Sequence, residues 1–129
     1  MNFNKLKFLF LDLPKYRRNF NRRALEKQKL EREDREQFVD LINQLRKTDL
    51  NVNNGYNRLC FQPLSENLCK SEDMGICVIE SIIIDSNNSI LVWVRKVNTT
   101  DKRWKELDQT DISYSYLLSM IIAYLEYAY

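Results

Sequence analysis

Eighteen carboxylates and no histidine set the chemistry open to this 129-residue chain. Imidazole is the commonest general base, the usual nitrogen ligand of zinc and the partner that activates a nucleophilic Ser or Cys, so its absence disfavours most hydrolase mechanisms. Two carboxylate groups are close in sequence, Glu72 with Asp73, and Glu106 with Asp108 and Asp111. On a strand Glu106 and Asp108 would share one face, where they could hold Mg²⁺ or move protons. Solvation at a strand end is the simpler reading, and Asp108 or Asp111 near a helix start also meets the partial positive charge of its first turn. Cys60, Cys69 and Cys77 are separated by eight and seven residues, a spacing that matches no metal knuckle. They read as small apolar residues, with a Cys60–Cys69 disulfide left open. Gly55 and Gly75 are the only glycines, so no glycine-rich loop is present to cradle a phosphate. These residues point to a non-enzymatic protein with no catalytic residue, no metal, no cofactor and no small-molecule substrate.

Binding chemistry is better represented. Lys15, Arg17, Arg18, Arg22, Arg23, Lys27 and Lys29 face a single anion, Glu26, within fifteen residues, with Tyr16 and Phe20 interleaved. Cations neutralise phosphates and aromatics stack on unpaired bases, so residues 15–29 suit a nucleic acid or a protein partner. Residues 1–65 carry a net +6 and residues 66–129 a net −4, and this polarity favours docking on a protein at least as much. At the other end, Leu117, Met120, Ile121, Tyr124, Leu125 and Ala128 form one helical stripe while Leu118, Ile122 and Tyr127 lie outside it. A helix apolar around most of its girth needs more cover than one core provides. Leu118, Ile122, Tyr127 and Tyr129 are therefore the expected protein interface, with a protein partner or in a homo-oligomer, and a central core helix within the one domain is the alternative.

The elements that must position these residues follow from periodicity. Residues 3–13 fit both a strand, with Leu6, Phe8 and Phe10 alternating, and a helix, with Phe3, Leu6, Phe10 and Leu13 on one stripe, and Pro14 is expected to end either. From Arg17 to Lys47 there is no Gly or Pro, which predicts one long helix with any break at Asn19 or Asn21. Phe38, Leu41, Ile42 and Leu45 give its second half a core-facing side. Its first half carries i,i+4 charge pairs such as Arg32/Glu36 and Glu31/Arg35, each stabilising by about 0.2–0.5 kcal/mol.

Beyond a polar loop over 48–55, residues 56–62 form a short strand and 65–75 a polar connection. Ile76–Asp85 and Ile90–Val97 flank Ser86-Asn87-Asn88-Ser89 as a β-hairpin. Ile82 and Ile84 point to one face and Ile79 and Ile83 to the other, so both sides of the sheet call for cover. Arg103–Asp108 adds a strand, and Thr110 or Asp111 caps a final helix from Ile112 to about Tyr127.

The expected class is α+β: a long N-terminal helix, an antiparallel meander of three to four strands and an apolar C-terminal helix. The expected organisation is an apolar segment 1–14, a basic and charged helical arm 15–36, and one α+β domain 37–129. The longest uncharged run, Ile112–Leu125, is too short to span a bilayer, and Asp12 interrupts the N-terminal apolar run without a cleavage site after it. Thirteen asparagines against three alanines suggest AT-rich coding, as in a low-GC bacterium, its phage or a plasmid. The functional expectation is an interaction or structural protein, cytoplasmic or part of a virion, of phage or mobile-element type, that assembles with or docks on another protein. The alternative is a nucleic-acid-binding accessory factor using residues 15–29.

Overall fold

A computed structural model of the chain describes residues 7–17, 31–48 and 58–129. Among the described residues it is an α+β protein with three helices and one antiparallel sheet of five strands. The helices are α1 (residues 7–17), α2 (Glu31–Arg46) and α3 (Tyr114–Ala128). The strands are β1 (Leu59–Phe61), β2 (Asn67–Ser71), β3 (Gly75–Ile84), β4 (Ile90–Lys96) and β5 (Lys102–Glu106). A 3₁₀ turn, Leu107–Gln109, follows β5. The chain divides into two compact units, Met1–Asn51 with Ser113–Tyr129, and Val52–Ile112.

The long N-terminal helix is not found. The N-terminal helix is short and built on the apolar run, and α2, described from Glu31 onward, runs through the expected arm boundary at 36/37. Pro14 lies inside α1 rather than ending it. A π turn over Phe8–Asp12, with the Leu13 N–H donating to the Phe8 carbonyl, precedes the proline. The wider turn relieves the crowding that a proline ring imposes on the preceding turn. It also re-registers the helix, because Phe8, Leu13 and Tyr16 are buried while Phe10 is 71% and Leu11 68% exposed. The expected stripe through Phe10 is thus replaced by one spaced five and three residues apart.

In the same unit, α2 buries Phe38, Leu41, Ile42 and Leu45, the four residues its periodicity selects. Burying side chains of this size stabilises by roughly 1.5–3 kcal/mol each before entropy is subtracted. Phe38 meets Tyr114 at the start of α3, with ring centroids 5.5 Å apart. The cap of α3 is Ser113, whose hydroxyl accepts from the Tyr116 N–H at 3.1 Å, and not Thr110 or Asp111. Both of those side chains are engaged elsewhere. Thr110 donates to the Leu107 carbonyl at 2.7 Å, and Asp111 accepts from the Lys70 N–H at 2.7 Å.

In the other unit, the hairpin and its turn form where expected, closed by Asp85, whose carboxylate accepts from the Asn87 and Ser89 N–H groups. Two expectations fail. Residues 67–71 form β2 and not a polar connection, since pairing with β3 supplies the backbone partners that their weak apolar pattern does not advertise. β1 and β2 thereby divide one side of the long β3 between them, and β4 and β5 follow on its other side. The second failure is one of parity. A β-bulge between Ile79 and Ser81 lets Ile79 share the buried face with Ile82 and Ile84, alongside Cys77, Val92 and Val94. The opposite face stays partly open.

Candidate functional site

The open face is assembled row by row across the strands. Cys60, Ile83, Leu91 and Glu106 form one row across β1, β3, β4 and β5. The next row is Ser81, Trp93 and Trp104, and the third is Leu68, Val78, Arg95 and Lys102. The two tryptophans are direct cross-strand partners, with ring centroids 4.9 Å apart and planes tilted by 42°. Such a pair stabilises the sheet and also forms a rigid apolar platform. Trp104 is 45% exposed, Ile83, Leu91 and Trp93 are half-buried, and Leu68 and Ile76 extend the apolar surface outward at the β2 end.

Polar groups frame this platform. The bulge in β3 places Glu80 beside Arg95, whose Nε donates to its carboxylate at 2.9 Å, while Lys102 Nζ reaches the other oxygen at 3.1 Å. The Arg95 hydrogen bond holds the Glu80 carboxyl below its ordinary 4.5 against an opposing desolvation, with Lys102 adding to the effect. Beyond it the Cys60 Sγ lies 3.6 Å from the Ser81 hydroxyl. This arrangement can bind an apolar surface rimmed by opposite charges. It has no nucleophile–base pair.

Asp73 and Glu106 serve structure. Asp73 accepts from Lys105 Nζ at 2.6 Å, the main reason its carboxyl is held below the ordinary 3.8. Glu106 ends β5 in a reciprocal cap with Gln109, and Asp108 follows in the 3₁₀ turn, so the two do not share a strand face. Cys69 faces Cys77 across β2 and β3 on the buried side, and burial pushes its thiol up to about 12. Cys60 is on the other face, so Cys60 and Cys69 do not pair. Among the described residues no group of three or more Cys, Asp or Glu side chains is placed to hold a metal ion, and no helix is long and apolar enough to cross a membrane.

The binding residues expected from sequence are scattered. Lys15 is exposed, but Tyr16 is buried and donates to the Asp40 carboxylate at 2.5 Å, and Arg17 pairs with Glu126 at 2.9 Å. Tyr16 is therefore unavailable for stacking on a base. Arg18, Phe20, Arg22, Arg23, Lys27 and Lys29 lie outside the described residues. Of the expected interface, Leu118 and Ile122 are buried within the chain, which corrects the uncovered patch assigned to them; Tyr127 is 78% exposed and Tyr129 half-buried. The Trp93–Trp104 platform was missed although both tryptophans were visible. The available signal was a sheet with apolar residues on both faces and too few amphipathic elements to cover both. No family model matches the chain, and neither a curated protein nor a solved structure shows significant similarity to it.

Proposed function

We propose that this chain is a non-enzymatic interaction protein that docks on a protein partner through the open face of its sheet. One observation carries the reading: the Trp93–Trp104 pair, with Ile83 and Leu91 beside it, leaves an aromatic and aliphatic surface partly in water. Contiguous apolar patches on a monomer usually mark contact sites, and tryptophan is enriched among residues that dominate binding energy. The Arg95–Glu80–Lys102 cluster supplies the polar rim that such sites have. Unit Val52–Ile112 carries seven basic and nine acidic residues, a balance that suits a protein surface better than a phosphate backbone.

The test is a photo-crosslinking amino acid placed at Trp104, with Ser86 in the hairpin turn as the control position, in cells that produce the protein. Covalent protein adducts from position 104 and none from position 86 are expected. Equal labelling at the two positions, or none at either, would sink the proposal.

A further inference from the structure

The rows of the open face have a symmetry that selects one occupant. Glu106 and Lys102 each stand two residues from Trp104 on β5, in the first and third rows, so they are equidistant from the Trp93–Trp104 row and opposite in charge. Consider two copies stacked face to face about a two-fold axis that runs along the tryptophan row. Rotation exchanges the first row with the third and leaves every strand above its own counterpart. Glu106 then faces the second copy's Lys102, and the reverse contact repeats it. Ile83 lies over Val78, which its own chain already buries, Leu91 lies along the aliphatic stem of Arg95, and each tryptophan meets its twin. The other in-plane two-fold axis, along the strands, lays Glu106 over Cys60 of β1 with no cation to meet it, while Lys102, paired with its own Glu80, lies over Leu68 of β2. Only the first axis matches charge to charge and apolar surface to apolar surface.

We infer that the partner of this face is a second copy of the chain, in an isologous sheet-on-sheet dimer centred on Trp93 and Trp104. The inference rests on the docking reading above. Face-to-face sheets pack about 10 Å apart with aligned strands, a distance that interdigitated tryptophans fill. With strands about 4.8 Å apart and alternate residues about 7 Å apart, the patch spans roughly 15 by 20 Å. Two such patches cover roughly 600 Å² in projection, the size of a weak, transient interface. Association through a patch of this size is weak and reversible.

Sedimentation velocity of the full chain from 1 to 200 µM tests this, with circular dichroism confirming that each variant is folded. The expected result is a concentration-dependent dimer that Trp104→Ser abolishes. Lys102→Glu and Glu106→Lys should each weaken association about tenfold, because each turns two symmetric attractions into repulsions. The double swap Lys102→Glu/Glu106→Lys should restore it. Should Lys102→Glu unfold the sheet by crowding Glu80, Glu106→Lys at the exposed end of β5 carries the same weakening. A monomer at 200 µM overturns the second-copy inference and leaves the docking reading to its own crosslinking test. A dimer insensitive to Trp104→Ser places self-association on another surface, which overturns the second-copy inference and again leaves the docking reading to its crosslinking test. A dimer lost in Trp104→Ser but not restored by the double swap overturns the symmetric arrangement.

Discussion

Lys105 shows how one side chain can be held in place by a single anion. Its side chain is only 10% exposed, and its ammonium is 2.6 Å from Asp73, which Arg103 approaches less closely at 3.7 Å. Removing the anion leaves a largely desolvated cation, whereas an apolar side chain of the same length needs no partner. Asp73→Asn should therefore lower the melting temperature, and Asp73→Asn/Lys105→Met should recover most of the loss, as differential scanning fluorimetry would read. The same contact gives the acid limb of stability its sign. Asp73 and Glu80 titrate below their ordinary 3.8 and 4.5 in the folded chain, so the stability they contribute is full above those values and is lost as pH falls through the depressed ones. Melting temperature should begin to drop below about pH 4.5, and Glu80→Gln should flatten that slope. Tyr16 gives the opposite case. Burial first, and the hydrogen bond to Asp40 second, raise its phenol above the ordinary 10.0, so its contribution is present below pH 10 and declines as pH rises beyond it. Tyr16→Phe should cost about 1 kcal/mol at neutral pH and remove the alkaline decline.

Among the elements, α1 carries the sharpest discrimination. A continuous α-helix would group Phe3, Leu6, Phe10 and Leu13, while the π turn groups Phe8, Leu13 and Tyr16. Phe8→Ala should cost about 3–5 kcal/mol in urea unfolding and Phe10→Ser within about 0.5 kcal/mol of nothing. Equal costs would sink this register. In the sheet, the bulge after Ile79 is the comparable device. Without it Ile79 would point to the open face and Glu80 would leave Arg95, so a one-residue insertion decides both what is buried and what frames the platform. The two loops that follow use asparagine in the left-handed region, Asn88 and Asn98, each with φ of 62°. Asparagine tolerates that region better than any side chain except the hydrogen of glycine.

For the whole molecule, chain connectivity is the informative fact. Residues 113–129 belong with 1–51, although the entire sheet intervenes in sequence. The Phe38–Tyr114 ring contact and the Arg17–Glu126 ion pair tie α3 to α2 and to α1. Truncation after Ile112 should consequently remove more helical ellipticity than the fifteen residues of α3 account for, because α1 and α2 lose the helix they pack on. A loss that matches α3 alone would show that α1 and α2 stand without it.

Some of this was legible from the residues themselves. The core side of α2, the hairpin with its turn, the apolar C-terminal helix and the α+β class all rest on local periodicity and turn chemistry, which act within a few residues and need no knowledge of the rest of the chain. What escaped depends on partners distant in sequence. β2 exists because β3 pairs with it, Ser113 caps α3 because Thr110 and Asp111 are occupied elsewhere, and Leu118 and Ile122 are buried because the chain itself covers them. The candidate site belongs to this second kind. Trp93 and Trp104 are eleven residues apart, and the register of β4 on β5 brings them together on the partly exposed face, while the bulge in β3 sends Ile79 to the other. Periodicity set which residues each strand presents on alternate sides; strand pairing, a property of the folded chain, decided which of those sides met water.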